Sequence, residues 1–280
     1  MSPDGTMRAE AASDDGMGRL SRTGFEPALL RLIGPWLGSA RMPVVACGMV
    51  GSRQGWVEAP YATVPCRPLP GALVAAPVTD PRIDVRVVPG VRQLDPADVM
   101  RGEETQIAGF LATTPGFDGV ICLPGTHSKW VQVSAGEIVS FRSFMTGELF
   151  ELLSTASVLR HTVGEGWDAE AFVQAVSDAM SRPEAIAARL FSIRAEALLK
   201  GLDPSVARAR LSGALIGLEL AGARPYWLGQ DVALVGAPRL SAIYAAALGA
   251  QGVPTRAADG AAMTRAGLAA ARLATMETTR

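Results

Sequence analysis

The sequence predicts an α/β protein, because short apolar runs typical of strands alternate with longer segments of helical periodicity. The apolar runs at 43–47 and 232–236 each lead into a glycine-containing turn, as parallel strands do in α/β folds. Between residues 165 and 225, apolar positions recur at spacings of three and four, which indicates helices. With 280 residues, 49% of them apolar, the chain can form one large domain or two of ordinary size.

The N-terminal part of the chain combines turn signals with one helix signal. Residues 2–5, SPDG, are a strong turn signal, and residues 6–13 alternate loosely in polarity. We therefore expect the second half of a hairpin whose first strand is missing. Residues 25–37 carry apolar side chains at helical spacing, and residues 60–82 are rich in proline and alanine, which favours a loop with a short helix.

A glycine-punctuated loop, GMVGSRQGW at 48–56, follows the strand predicted at 43–47. Ligand-binding loops of α/β folds occupy this position. The planar guanidinium of Arg53 can bond both oxygens of a carboxylate, and Gln54 can hydrogen-bond a hydroxyl. We predict that Ser52, Arg53 and Gln54 bind substrate, with a solvated loop tip as the alternative.

The segment at 101–114, RGEETQIAGFLATT, predicts a helix that begins at Glu103. Acidic side chains in a first helical turn are stabilised by the helix dipole, which is one interpretation of Glu103 and Glu104. A carboxylate that faces a substrate could instead accept a proton from a hydroxyl or hold Mg²⁺ through water. We predict that these two glutamates and Arg101 are catalytic, and Arg101 is a second candidate for binding a substrate carboxylate.

A strand, a Pro-Gly turn and a second strand are predicted over 118–131, DGVICLPGTHSKWV. Backbone N–H groups in such a turn can face a phosphate. Gly125 allows the main chain to approach a ligand closely because it has no Cβ, and Thr126 and Ser128 add hydroxyl donors. The segment therefore predicts a phosphate-binding turn, with an ordinary hairpin as the alternative.

Five further elements complete the chain. A strand at 137–141 and a helix at 145–153 follow the hairpin. The apolar run at 232–236, its turn and a helix through 244–248 form half of a nucleotide-binding crossover. An alanine-rich helix at 259–275 closes the chain.

Composition and charge exclude several classes of protein. The net charge is −1 and the 26 basic residues are scattered, so neither a nucleic acid nor a membrane surface is an expected partner. No apolar run approaches the ~20 residues that span a bilayer, and no signal peptide is evident, so we expect a cytoplasmic protein.

Cys47, Cys66 and Cys122 lack CxxC spacing and indicate reduced structural thiols. The two histidines form no cluster, so no metal-ligand set is predicted.

Five segments together carry a resemblance to a known family: GMVGSRQGWVEAPY (48–61), VPG (88–90), DVMRGEETQ (98–106), LPGTHSKWV (123–131) and MTGELFELL (145–153). They closely resemble the 2-dehydro-3-deoxygalactonokinase family, over essentially the whole chain. That family is related to the sugar kinases of the actin, hexokinase and Hsp70 superfamily. The resemblance implies two ribonuclease-H-like (actin-like ATPase) α/β domains with a cleft between them.

The resemblance also implies a reaction and a division of the chain. A substrate-binding domain would cover 1–115 and a nucleotide-binding domain 116–280. The reaction would transfer the γ-phosphate of ATP to the 6-hydroxyl of the sugar acid 2-dehydro-3-deoxy-D-galactonate, with Mg²⁺. A homodimer is an open alternative to a monomer.

Individual residues match the family's motifs to different degrees. The second phosphate loop is implied at Gly125, Thr126, His127, Ser128 and Lys129. The adenosine-binding turn is implied at Gly236, Ala237 and Pro238. That turn usually opens with paired glycines, so Ala237 is a departure. The segment 102–106 resembles the Gly-Asp-Gln segment that supplies the general base in related kinases, although two glutamates, Glu103 and Glu104, stand in place of one aspartate.

One departure concerns the start of the chain. Family members open with a strand that ends in an Asp-x-Gly-Thr turn, the first phosphate loop, and this sequence has no such segment. We expect an N-terminally truncated first domain, explained by a misplaced start codon, with a cut chain or a real loss as alternatives.

The alternative function is a sugar-acid binding protein without ATP turnover. A hydrolase built on Ser128 and His127 is disfavoured, because adjacent residues rarely orient as nucleophile and base.

Overall fold

The computed structural model describes residues 6–69 and 71–277, so the turn predicted at 2–5 lies outside the described residues. The chain divides into two compact units. The first unit comprises residues up to Phe117, the segment Ser134–Ser140 and the residues from Gly260 onward; the second comprises Asp118–Val133 and Phe141–Asp259. None of the helices in the described part of the chain is long and apolar enough to cross a membrane.

Strands and helices alternate along the chain, so the structure is mixed α/β, as predicted. The strands are β1 (Met42–Ala46), β2 (Tyr61–Thr63), β3 (Val74–Ala75), β4 (Ile83–Val87), β5 (Gly90–Leu94), β6 (Ala97–Met100), β7 (Gly119–Leu123), β8 (Ser128–Ser134), β9 (Glu137–Phe144), β10 (Val232–Gly236) and β11 (Thr255–Asp259). The helices are α1 (Phe25–Ile33), α2 (Glu103–Thr113), α3 (Thr146–Thr155), α4 (Ala169–Ser181), α5 (Ile186–Lys200), α6 (Pro204–Gly222), α7 (Arg224–Trp227), α8 (Pro238–Gly249) and α9 (Gly260–Glu277).

The first unit contains two three-stranded sheets, with strand orders β1-β4-β3 and β2-β5-β6. β1 runs parallel to β4, as its apolar sequence predicts, but its side chains are only partly buried because it lies at the edge of its sheet. The aromatic rings of Phe25 in α1 and Trp56 stack in the core with buried residues of β4.

Two local predictions for the first unit are wrong. Residues 6–13 form no strand, since alanine, serine and acidic side chains give this segment little apolar surface to bury. Residues 60–82 contain β2 and β3 and, where described, no helix. Proline lacks a backbone N–H and so disfavours a helix interior.

The second unit is built on a five-stranded sheet of order β11-β10-β7-β8-β9. β10 is parallel to both β7 and β11, whereas β7 and β8 are antiparallel and form the predicted hairpin. Every residue of β7 and β10 is buried, and helices α4, α6 and α8 contribute to the same core. The strand–turn–helix unit predicted at the end of this unit is confirmed as β10 and α8.

The two helices α2 and α9 pack closely in the first unit. A Cβ at Gly109 would lie less than 3.0 Å from the carbonyl oxygen of Met263, so only glycine permits this approach. The boundary predicted at residue 115 assigned α9 to the second domain. In the structure α9 groups with the first unit because of this packing, and it supports the helix that carries Glu103 and Glu104.

Candidate functional site

The glycine-punctuated loop at 48–56 follows β1 and contains the three side chains predicted to bind substrate. These side chains differ in their exposure to solvent. Arg53 and Gln54 are exposed, and the backbone carbonyl of Arg53 accepts a hydrogen bond of 2.8 Å from Arg22 Nη2. Ser52 is buried, and its Oγ has no hydrogen-bond partner among the described residues. The charged group of Arg53 and the amide of Gln54 are therefore accessible to solvent, whereas the hydroxyl of Ser52 is enclosed.

Arg101 lies against the same loop. Its guanidinium stacks on the Tyr61 ring at 4.2 Å, and its Nη2 donates to the carbonyl of Ala59 at 2.8 Å. Its Nη1 is buried and, within the described part of the chain, lacks a hydrogen-bond partner. A Cβ at Gly51 would lie 3.0 Å from this Nη1, so the unpartnered donor sits beside the residue that precedes Ser52. Buried donors without partners are rare in proteins and indicate a place where a ligand can accept.

The start of α2 depends on a glycine and two carboxylates. Gly102 has φ +114°, a conformation that glycine adopts without strain. Its N–H donates to Glu104 Oε2 at 2.7 Å, and the N–H of Arg101 donates to Glu103 Oε2 at 3.0 Å. The Thr105 hydroxyl donates to Glu104 Oε1 at 3.1 Å. Both carboxylates thus hold the turn that leads into the helix.

The two glutamates differ in access to solvent. Glu104 is 0% exposed, and this burial raises its pKa to about 7 even though its hydrogen bonds act in the opposite direction. Glu103 is only half-buried. Burial, with a contribution from the charge of Glu104, also raises the pKa of Cys47 to about 11. Glu103 is therefore the more solvent-accessible of the two carboxylates.

In the second unit, the first turn of α3 packs directly on the turn between β7 and β8. A Cβ at Gly147 would lie less than 3.0 Å from the carbonyl oxygen of Gly125. The Glu148 N–H donates to the Thr126 carbonyl at 2.9 Å, and the Glu148 carboxylate contacts His127 Nε2 at 2.6 Å. By contrast, the nearest atom to a Cβ at Gly125 would be 3.8 Å away, so the main chain is open on that side.

Ser128 and Lys129, the last two residues predicted for this turn, have buried side chains. The Ser128 hydroxyl lies 2.8 Å from the hydroxyl of Tyr244, which belongs to α8. The Ser128 hydroxyl is therefore engaged within the protein, which the sequence pattern did not indicate.

A cavity of about 630 Å³ brings the two predicted nucleotide turns together, since both Gly125 and Ala237 line it. This volume is within the usual range for small-molecule sites. The lining residues that the sequence analysis did not assign to a site are Thr146, Gly147, Phe150, Trp167, Arg208, Ser212, Leu215, Ile216, Arg239, Leu240, Ile243 and Tyr244. Several lie in the helical stripes between 165 and 225, where a cavity-facing residue has the same periodicity as a core residue. Gly236 and Pro238 line a smaller neighbouring cavity of about 200 Å³.

The described residues contain no group of three or more histidine, cysteine, aspartate or glutamate side chains that could hold a metal ion.

Comparison with known proteins identifies a family. The family model described as 2-keto-3-deoxy-galactonokinase matches residues 1–271. A probable 2-dehydro-3-deoxygalactonokinase of Rhizobium meliloti (strain 1021) is 42% identical over 275 residues, which cover 96% of this chain and 90% of that protein. The 2-dehydro-3-deoxygalactonokinase of Escherichia coli (strain K12) is 35% identical over 264 residues, covering 91% and 87%.

A solved structure supports the same relationship. A crystal structure from Sinorhizobium meliloti, assigned as a 2-dehydro-3-deoxygalactonokinase, superposes with a TM-score of 0.90 at 41% sequence identity. The match covers 97% of this chain and 93% of that one. The similarity therefore extends to the fold of nearly the whole chain.

The close packing of α3 on the turn between β7 and β8 predicts that two glycine substitutions change the free energy of unfolding by different amounts. Gly147→Ala should destabilise the protein by on the order of 1–3 kcal/mol because the added methyl must displace the Gly125 carbonyl. This loss opposes the helix propensity of alanine, which is ~1 kcal/mol better than that of glycine. Gly125→Ala, the matched control, should change the free energy of unfolding by less than about 1 kcal/mol. Denaturant unfolding measures both, and equal effects would refute the packing argument.

The buried carboxylate of Glu104 predicts a pH-dependent stability. Its pKa in the folded protein, about 7, exceeds the ordinary value of 4.5, so its contribution is fully present below pH 4.5 and is lost as pH rises through about 7. The loss amounts to on the order of 3 kcal/mol. Glu104→Gln removes this titration. Between about pH 4.5 and 7 the free energy of unfolding of the parent should therefore fall relative to that of the variant. Denaturant unfolding of the parent and of Glu104→Gln across this range measures the difference. Parallel curves for parent and Glu104→Gln would contradict the assignment.

Proposed function

Because the chain belongs to the 2-keto-3-deoxy-galactonokinase family and is a carbohydrate kinase, we propose that it transfers the γ-phosphate of ATP to the 6-hydroxyl of 2-dehydro-3-deoxy-D-galactonate. The observation that carries this proposal is the single cavity lined by Gly125 and Ala237, the two turns in which the sequence predicts nucleotide binding. Phosphoryl transfer relies mainly on positioning and on stabilisation of charge, so it requires few reactive side chains.

We place the nucleotide in the second unit. The phosphates would lie against the main chain of Gly125, Thr126 and His127, where the absence of a Cβ leaves Gly125 open. Adenosine would occupy the largely apolar part of the cavity, beside the Gly236–Pro238 turn. Ser128 and Lys129 would support this turn from inside, because their side chains are buried.

Mg²⁺ fits this site as part of the nucleotide complex. The ion prefers oxygen ligands and retains several waters, so phosphate oxygens and water can hold it without a cage of protein carboxylates. When bound, it would neutralise charge on the phosphates.

We place the sugar acid in the first unit. Arg101 Nη1 and Ser52 Oγ are buried groups with unused hydrogen-bonding capacity, and a sugar acid supplies both a carboxylate and hydroxyls. Arg53 and Gln54 are exposed and would contact the acid only from the outside of the loop. The structure therefore favours Arg101, the second candidate from the sequence, over Arg53 as the carboxylate anchor.

We assign the general base to Glu103 and a positioning role to Glu104. Glu103 is the more accessible carboxylate, whereas Glu104 is enclosed and accepts hydrogen bonds from Gly102 and Thr105. In this arrangement Glu104 would fix the helix start from which Glu103 acts.

We also propose that each unit has the ribonuclease-H-like architecture implied by the family, and that the substrate-binding domain, predicted to end near residue 115, also includes α9. The mixed five-stranded sheet of the second unit, with helices packed against it, supports this proposal. The first unit would bind the sugar acid and the second the nucleotide.

The anchor assignment predicts different effects for the two arginines. Losing a buried charged hydrogen bond costs on the order of 2–5 kcal/mol, so Arg101→Ala should weaken binding of the sugar acid at least tenfold. Arg101→Lys keeps the charge but not the planar fork and should also weaken binding. Arg53→Ala is the matched control and should bind within about threefold of the parent. Calorimetric titration with the acid measures all three, and a tenfold loss in Arg53→Ala alone would move the anchor to Arg53.

The base assignment is tested by turnover. The parent should form ADP from ATP only when the sugar acid is present. Glu103→Gln should lower kcat by roughly 10²-fold or more while ATP affinity is unchanged, since removal of a general base costs ~10²–10⁴ in rate. Glu104→Gln should retain kcat to within about tenfold, because its carboxylate acts through Glu103. If both variants turn over at the parent rate, the two acids only stabilise the helix start.

A further inference from the structure

A second buried glutamate lies in the second unit, beneath the turn between β7 and β8. Glu219, in the last part of α6, is 2% exposed. Its Oε1 accepts a hydrogen bond from Trp130 Nε1 at 2.8 Å, and its Oε2 accepts one from the Tyr244 hydroxyl at 2.8 Å. The hydroxyl of Thr146 also hydrogen-bonds to this carboxylate, and Ser128 is linked to it through the Tyr244 hydroxyl.

The direction of these hydrogen bonds can be deduced. Tyr244 has one hydroxyl proton and donates it to Glu219, so Ser128 must be the donor in its 2.8 Å contact with Tyr244. The Ser128 proton is therefore used inside the protein and is not available to a ligand.

The partners of Glu219 belong to the segments that shape the cavity. Ser128 closes the turn that contains Gly125, and Thr146 begins α3, whose second residue packs on that turn. Thr146 and Tyr244 line the cavity, whereas Glu219 does not. The Glu219 carboxyl group therefore links the turn, α3 and α8 through hydrogen bonds without itself lining the cavity.

Breaking the hydrogen bonds of Glu219 would be costly in free energy, because its carboxyl group is buried. Burial raises the pKa of Glu219, while the hydrogen bonds from its partners lower it. A buried carboxyl group is tolerated only when its hydrogen bonds are satisfied, so displacing a partner leaves a buried polar group without one. The turn and the start of α3 are thus held to one arrangement.

We propose that Glu219 is a positioning residue that fixes the Gly125–Ser128 turn and the start of α3 in the geometry that receives nucleotide phosphates. The phosphate part of this statement rests on the proposed function. A glutamate with only a structural role would instead affect the stability of the whole unit and leave the folded turn unchanged.

Two variants and one control separate these roles. Glu219→Gln has a single acceptor oxygen, so it can keep the Trp130 bond but must break or reverse the link to Tyr244 and Ser128. Tyr244→Phe removes the same link by deleting the hydroxyl, and it serves if Glu219→Gln fails to fold. Trp227→Phe is the control. The Trp227 Nε1 donates to the Leu220 carbonyl at 2.8 Å in the same core, and among the described residues no hydrogen bond joins its side chain to the turn.

The first measurement is amide hydrogen exchange of the ligand-free protein. Peptides covering the turn and the start of α3 should exchange about tenfold faster or more in Glu219→Gln and in Tyr244→Phe, since a lost buried charged hydrogen bond corresponds to at least that factor. In Trp227→Phe these peptides should exchange at the parent rate. Unchanged exchange at the turn in the folded variants would overturn the proposal.

The second measurement compares ligands with and without phosphates by calorimetry. Glu219→Gln should bind a non-hydrolysable ATP analogue about tenfold more weakly or worse, while its affinity for adenosine stays within about threefold of the parent. Equal losses for both ligands would overturn the phosphate role. If the parent binds neither ligand, the proposed function fails, and the exchange result still decides whether Glu219 positions the turn.

Discussion

Each unit buries a glutamate almost completely, and a buried carboxylate has to be surrounded by hydrogen-bond donors. In the first unit, Glu104 takes its donors from Gly102 and Thr105, at the start of the helix that carries the proposed base. In the second, Glu219 takes them from groups that include the hydroxyl of Tyr244, beneath the proposed phosphate turn. In both units the cost of burying the carboxyl group is offset only when the segment that supplies its hydrogen bonds adopts one conformation. Stability and site geometry therefore depend on the same contacts.

This arrangement suits a reaction that depends on position more than on reactive side chains. Burial raises the pKa of Cys47 to about 11 and also raises those of Cys66 and Cys122, so none of the three thiols is activated as a nucleophile. In our proposal, the main chain at Gly125 and the guanidinium of Arg101 bind and orient the charged substrates.

Local signals were sufficient to predict the hairpin of β7 and β8, the helix starting at Glu103, and the strand–turn–helix unit at Val232–Gly236. Their residue patterns directly express strand, turn and helix preferences. The role of Glu219 could not be predicted, because its partners are distant in sequence and a single glutamate in a helical stripe has no distinguishing periodicity. The packing of Gly147 on Gly125 escaped prediction for the same reason. The choice between Arg53 and Arg101 required burial and unpartnered atoms, which a sequence does not contain.

We propose that this chain phosphorylates a sugar acid at its terminal hydroxyl. The most direct measurement is phosphorus and proton NMR of the product formed from 2-dehydro-3-deoxy-D-galactonate, ATP and Mg²⁺ in the presence of the purified protein. We expect a new phosphomonoester signal coupled to the two protons on carbon 6, formed in step with ADP. Release of inorganic phosphate alone, attachment of the phosphate to another carbon, or unchanged substrates would contradict it.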